Sequence, residues 1–259
     1  MLNIIKIGGN IIDNELALDN FLEIFVQIPS PKILIHGGGK IATKYAVKLD
    51  VETKMVDGRR ITDKPMLDVV TMVYGGLVNK QIVAKLQALG CNAIGLTGAD
   101  GAAVLAKKRP VKEIDYGFVG DIEKVNDKLI ANFLNFGLTP IFAPLTFDKE
   151  GNMLNTNADT QASSIAVAMA NEFEVNLIYC FEKKGVLSNP EDDDSVIAEL
   201  NPALYQAYKA SGAINAGMIP KLDNAFSAIS KGVKQVTICH ANELVQAVVE
   251  GKAGTAIRE

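Results

Sequence analysis

One feature occurs twice in this chain and constrains it most: a short apolar run that stops at a glycine turn. The first is Ile4-Ile5-Lys6-Ile7, followed by Gly8-Gly9-Asn10. The second is Ile33-Leu34-Ile35-His36, followed by Gly37-Gly38-Gly39-Lys40. Each run is continuously apolar, as expected of a buried strand, and each delivers the backbone into a tight turn before a helix. Glycines at such a turn leave backbone N–H groups uncovered, and the following helix adds partial positive charge. Two such turns in one α/β chain form two walls of one anion site. Lys6, two residues before Gly8, adds a full charge beside them, where a buried strand seldom hosts one without a partner. This is a phosphate-handling arrangement.

Strand and helix signals alternate along the rest of the chain. Leu18, Phe21, Leu22, Phe25 and Ile28 recur at helical spacing, and Ile41–Leu49 reads as a second helix. Thr62 or Asp63 can cap a long helix that Pro65 opens and Gly90 ends. That helix is apolar on more than one side, as a core helix or a subunit interface would be. Strands are expected over Asn92–Thr97, Thr139–Pro144, Val175–Cys180 and Gln235–Cys239, with β-hairpins over 102–125. Helices are expected over Asp127–Phe136, Ala158–Ala170, Gly217–Ser230 and Ala241–Val249. Apolar strands spaced by helices predict a mostly parallel sheet covered on both faces. Pro190 and the acidic run Glu191–Asp194 mark an exposed, solvated loop.

Composition narrows the function. With 259 residues, 48% of them hydrophobic, the chain can build one large α/β domain or two small lobes. A net charge of −4 argues against nucleic acid or an anionic membrane as partner. No stretch approaches the roughly 18 apolar residues of a membrane span, and the N-terminal run is too short for a signal peptide. A soluble, cytoplasmic protein is expected. The three cysteines, Cys91, Cys180 and Cys239, are far apart, and Cys180 and Cys239, at the ends of apolar runs, read as small buried hydrophobes. Two histidines and no metal-ligand spacing leave no material for a zinc site or a histidine-based triad.

The remaining motifs stay open on their own. There is no GxxxxGK[ST] and no GxGxxG, so neither a P-loop nor a dinucleotide fingerprint is present. His36-Gly37-Gly38-Gly39 has no G-x-S-x-G partner, which removes an esterase reading. Gly58–Thr62 reads as a loop before a helix, and its pair Arg59-Arg60 is either a solvated feature or a fork for a carboxylate. Asn155-Thr156-Asn157-Ala158-Asp159 either caps a helix or lines a polar site. Lys221, near a helix N-terminus, opposes the helix dipole and either points into water or meets an anion.

Taken in order, K-I-G-G, H-G-G-G, G-R-R-I-T-D, Asn79-Lys80, G-L-T-G-A-D-G, G-F-V-G-D, N-T-N-A-D-T, G-M-I-P-K and the closing Gly254-Thr255-Ala256-Ile257 resemble the amino acid kinase superfamily and, within it, the acetylglutamate kinase family. The resemblance covers nearly the whole chain. It implies a three-layer αβα sandwich with a mainly parallel central sheet. An N-terminal lobe, 1–173, would bind the acylated amino acid and form a homodimer through the Pro65–Leu89 helix. A C-terminal lobe, 174–259, would bind ATP. The implied reaction is phosphorylation of the side-chain carboxylate of N-acetyl-L-glutamate, a step of arginine biosynthesis, with Mg²⁺ arriving on ATP.

The same resemblance assigns expected roles. Lys6 and Lys221 flank the transferring phosphoryl group, and Asp159 holds both lysines. Gly8, Gly9 and Gly38 donate backbone N–H groups to phosphate. Gly38, Gly39, Arg60 and Asn155 fix the amino acid, with Arg60 on its α-carboxylate. Glu182, Lys183, Lys184, Gly185, Val186, Leu187, Ala213, Ile214 and Asn215 contact ATP, and no protein-ligated metal is expected. Arg59 stands where the family usually carries an apolar residue beside the acyl group. An extra cation there fits N-succinyl-glutamate as an alternative substrate. A sister kinase acting on carbamate, glutamate or uridylate is a further alternative, and a non-catalytic nucleotide-binding regulator is the alternative of another class.

Overall fold

A computed structural model describes residues 1–56, 58–189, 191–214 and 218–259. In chain order its strands are β1 (Leu2–Ile7), β2 (Lys32–Ile35), β3 (Lys54–Val56), β4 (Arg59–Ile61), β5 (Ala93–Leu96), β6 (Val104–Lys108), β7 (Gly120–Val125), β8 (Thr139–Phe142), β9 (Leu145–Phe147), β10 (Met153–Asn155), β11 (Val175–Phe181), β12 (Glu199–Leu200), β13 (Gln235–His240) and β14 (Thr255–Ile257). Eight of them form one sheet in the order β12-β14-β13-β11-β1-β2-β8-β5. From β13 across to β5 every pairing is parallel, and β14 runs antiparallel to β13.

The helices are α1 (Gly9–Ile12), α2 (Glu15–Val26), α3 (Gly39–Lys48), α4 (Lys64–Val70), α5 (Asn79–Ala88), α6 (Asp127–Asn135), α7 (Ala158–Met169), α8 (Pro202–Ser211) and α9 (Ile219–Ile229). Strand alternation decides what each helix covers. Leu2 and Ile4 of β1 join a core with Ile130, Ile165 and Leu222 of α6, α7 and α9. Ile5 and Ile7 join the opposite core with Phe21, Val70 and Ile82 of α2, α4 and α5. The result is the expected αβα sandwich, and the period of two puts Lys6 on the same face as Leu2 and Ile4. Among the described residues no helix is long and apolar enough to cross a membrane.

Caps set several boundaries. Asn14 accepts from Ala17 N–H at the start of α2, and Asp63, followed by Pro65, accepts from Met66 N–H at the start of α4. A π-helical segment, Thr71–Val78, joins α4 to α5 without a break. Its Tyr74 ring lies 3.1 Å from where a Cβ on Gly38 would sit, so this segment packs directly on the second glycine turn. Most apolar residues of this long helix, including Met66, Val69, Val73 and Ile82, are buried by the chain itself, while Met72 remains exposed.

Several local expectations need correction. Arg59–Ile61 is not a loop but β4, antiparallel to β3. The hairpins expected over 102–125 form one antiparallel pair, β6 with β7, inside a second sheet ordered β10-β9-β6-β7. The last helix is broken into a 3-10 turn, Ala241–Glu243, and a π-helical turn, Gln246–Glu250. The acidic loop is exposed but not simply solvated, since Asp193 pairs with Lys183 at 2.7 Å and Asp194 pairs with Lys184 at 2.5 Å.

Candidate active site

The parallel strands β1, β2 and β11 end side by side, and the crevice beyond the carboxyl ends of such strands is where open α/β sheets bind ligands. β1 brings Lys6 and Gly8, β2 brings Gly37 and Gly38, and β11 brings Phe181. Two cavities open there. One, of about 530 Å³, is lined by Gly8, Gly9, Asn10, Lys40, Phe181, Glu182, Lys183 and Gly185. The other, of about 470 Å³, is lined by Arg59, Arg60, Arg109, Asn155, Asn157 and Asp159. They share Gly37, Gly38, Gly39 and Lys221 as a common wall.

The charges at this junction are tightly arranged. Lys6 Nζ lies 2.7 Å from Asp159 Oδ1, with the lysine side chain only 9% exposed. Asp159 sits in the first turn of α7, where the helix dipole favours a carboxylate, and Asn157 caps that helix by accepting from Thr160 N–H. Lys221 sits in the first turn of α9, where the dipole opposes it. Its Nζ lies 3.8 Å from the centre of the Phe181 ring rather than in an ion pair with Asp159. Burial pushes the Lys221 ammonium below the ordinary lysine value. Asp159 counters that shift and Lys6 adds to it.

The second cavity is built from the β3–β4 hairpin and the smaller sheet. Arg60 is buried, and its Nη2 donates to Gly39 O at 2.9 Å and to Thr43 Oγ1 at 2.8 Å. Among the described residues no carboxylate pairs with it, and it lines the cavity. Asn155, at the end of β10, donates from Nδ2 to Thr62 Oγ1 at 3.0 Å. Arg59 is exposed at the rim of the same cavity. Arg109 forks onto Asp121 Oδ1, with Nε at 3.0 Å and Nη2 at 2.7 Å.

A buried network fixes the second glycine turn. The Nδ1–H of His36 donates to the Gly37 carbonyl at 2.7 Å, which leaves Nε2 to accept from Asn79 Nδ2 at 3.1 Å. Asn79 also donates to Ile141 O at 2.9 Å. Complete burial lowers the His36 pKa to about 4, so the ring is neutral in the fold.

The expected residues therefore divide. Gly8, Gly9, Gly38, Gly39, Arg59, Arg60, Asn155, Asp159, Glu182, Lys183, Gly185 and Lys221 line one or both cavities, whereas Lys6 lines neither and meets the second only through its pair with Asp159. Lys184 pairs with Asp194 outside them. Val186, Leu187 and Ile214 are buried, with Val186 N–H donating to Thr255 Oγ1 at 2.8 Å, and Ala213 is half-buried. Asn215 lies outside the described residues. Among those residues no group of three or more His, Cys, Asp or Glu is placed to hold a metal. Sequence reasoning misses Phe181, Tyr74 and Arg109, and reads Thr62 only as a candidate helix cap. Phe181, directly after the apolar run Val175–Cys180 and before a loop, carried the one usable signal.

Known proteins resemble this chain over nearly its whole length. An acetylglutamate kinase from Cytophaga hutchinsonii is 59% identical over 252 residues, spanning 97% of this chain and 96% of its own length. One from Bacteroides thetaiotaomicron is 54% identical over 258 residues, spanning 100% and 98%. The crystal structure of smu.665 from Streptococcus mutans UA159 superposes with a TM-score of 0.75 at 31% identity, covering 99% of this chain and 98% of that one. Residues 1–240 match the amino acid kinase family, and the chain belongs to that family.

Proposed function

We propose that this chain is an acetylglutamate kinase, transferring the γ-phosphoryl group of ATP to the side-chain carboxylate of N-acetyl-L-glutamate in arginine biosynthesis. The observation that carries the reading is the common wall: a glycine-rich cavity and an arginine-rich cavity meet at Gly37–Gly39 and Lys221. ATP occupies the first and the acylated amino acid the second. The junction is where one carboxylate oxygen attacks the γ-phosphorus and the bond to the ADP oxygen breaks. No proton has to be removed from a carboxylate nucleophile, so positioning and electrostatics carry the catalysis.

In this reading Lys6 and Lys221 offset the spreading negative charge of the phosphoryl group, and Asp159 aims Lys6. Gly8, Gly9 and Gly38 present N–H groups to phosphate oxygens. Arg60, free of any described carboxylate, grips the α-carboxylate, while Gly39 and Asn155 hold the amide end. Glu182, Lys183 and Gly185 border the nucleotide. Mg²⁺ comes bound to ATP and shields its phosphate charge, held by phosphates and water. Residues 1–173 hold the amino acid and 174–259 the bulk of ATP. The enzyme works in the cytoplasm as a homodimer, joined across the face of α4 and its π-helical extension where Met72 is 55% exposed. Light scattering of Met72→Glu checks the dimer.

Hydroxylamine trapping of the acyl phosphate, with ATP and N-acetyl-L-glutamate, tests the activity. Product is expected, and Lys221→Ala should lose turnover by about 100-fold or more while still binding ATP. ATP binding without turnover in the wild type would favour the non-catalytic reading.

A second reading of the acyl group has its own support. Among the described residues the amino-acid cavity carries Arg59, Arg60, Arg109 and Lys221 against one lining carboxylate, Asp159. Two substrate carboxylates account for Arg60 and Lys221, and Asp121 neutralises Arg109 in part. Arg59 is left over, and a succinyl carboxylate is the group that would use it. Turnover of N-succinyl-L-glutamate well above that of the acetyl compound, reversed in Arg59→Ala, is the result that would favour it.

A further inference from the structure

We infer that Phe181 is a positioning residue for Lys221, holding its ammonium at the junction through the face of the ring; the inference rests on the kinase reading of the site. Lys221 Nζ stands 3.8 Å from the ring centre and Lys6 Nζ stands 5.5 Å from it. The ring is itself fixed: it stacks on Tyr179 at 6.1 Å with an interplanar angle of 13°. It also lines the nucleotide cavity at the end of β11. Two ammonium groups thus converge on one carboxylate, and Lys6 takes that carboxylate at 2.7 Å. Lys221 sits at a helix N-terminus, where the dipole disfavours a cation, and although the residue is exposed overall, packing around its ammonium lowers its pKa. The negative face of an aromatic ring offsets part of that cost.

A ring differs from a second carboxylate in one respect that suits phosphoryl transfer. A carboxylate would occupy the N–H donors of Lys221 and compete with the phosphoryl oxygens. The ring attracts the charge without accepting a conventional hydrogen bond. The N–H donors not turned to the ring stay available for oxygens that gain charge only in the transition state. Phe181 should therefore act on kcat more than on either KM.

The test is a fluorination series at position 181, in which mono-, di- and trifluorinated phenylalanines keep the ring's shape while draining its negative face. The readout is the hydroxamate assay, with wild-type turnover confirming the kinase reading independently. We expect kcat to fall stepwise with fluorination, by about three- to thirtyfold across the series, with both KM values within about twofold. Phe181→Leu should match the end of the series and Phe181→Tyr should restore most of kcat. A kcat that stays flat across the series, or a loss that Phe181→Tyr shares with Phe181→Leu, would overturn the inference while leaving the kinase reading intact.

Discussion

Lys6 and Asp159 lie 153 positions apart in the chain and 2.7 Å apart in the fold, the lysine from the central strand β1 and the aspartate from the first turn of α7. Lys6 is surrounded by apolar strand residues, so its ammonium is a buried charge with one near carboxylate. Buried pairs contribute little net stability, yet removing one partner strands the other.

Lys6→Met follows from that asymmetry. Methionine fills the same volume without a charge, and the abandoned carboxylate is 38% exposed and can be hydrated. Stability in urea should stay within about 1 kcal/mol of wild type, or rise. Turnover should drop by about 100-fold or more. Asp159→Asn should lose turnover similarly but also destabilise the fold by about 1–2 kcal/mol, a figure reduced for the aspartate's exposure. A Lys6→Met protein with normal turnover would remove Lys6 from the chemistry.

The two glycine turns should respond differently to alanine. A Cβ at Gly8 would meet nothing within 4 Å, and the residue has φ of −82°, a value any residue adopts. Gly8→Ala should fold normally and place its methyl where the phosphates go, raising KM for ATP or lowering kcat by about tenfold or more. Gly38 has φ of +145°, and a Cβ there would lie 3.1 Å from the Tyr74 ring. Gly38→Ala should lower the unfolding midpoint, by about 1–3 kcal/mol of strain, before any effect on catalysis is counted.

These contrasts show why some of the site is legible in the sequence and some is not. The glycine turns and Lys6 stand out because continuous apolar runs mark strands, and a charge inside such a run is conspicuous. Asp159 and Lys221 have bland local readings as first-turn residues, and only the ordered series of motifs links them to Lys6. Arg109 carries no local signal, Thr62 offers only a candidate helix cap and Phe181 only its place at a strand end, because their roles depend on which strand ends meet. The two-residue β12 and three-residue β14 are too short for periodicity to detect. The glycine of the loop after β11 reads as a nucleotide contact in the sequence. In the fold it lines that cavity, but a Cβ on Gly185 would also lie 2.7 Å from Thr255 Oγ1, so packing against β14 demands glycine there as well.

His36 gives the fold a pH dependence with a definite sign. Its pKa falls from 6.5 to about 4 on burial, so the unfolded chain binds this proton more readily than the native state. The group's contribution is whole above pH 6.5 and is lost as pH falls from there toward 4, amounting to about 3 kcal/mol. Urea midpoints measured across that window should fall steeply for wild type. In His36→Gln, which keeps a donor and an acceptor but cannot titrate, the slope should be shallower. Identical slopes would mean that His36 is not a principal source of acid lability.

Arg60 tests the amino-acid side of the junction. Its Nη2 is committed to Gly39 O and Thr43 Oγ1, and Nη1 reaches Thr53 Oγ1 at 3.4 Å, so the planar fork is held on its protein side. Arg60 also lines the amino-acid cavity. Lysine keeps the charge but has one nitrogen, which cannot both tie the turn and present a flat edge to a carboxylate. Arg60→Lys should therefore raise KM for the acylated glutamate by about 10- to 100-fold, in line with one charge-assisted hydrogen bond of about 1.5–3 kcal/mol. KM for ATP should change by less than about twofold, because Arg60 lines only the amino-acid cavity. Equal losses for both substrates would point to a collapsed glycine turn instead, and steady-state kinetics with each substrate varied in turn separates the two outcomes.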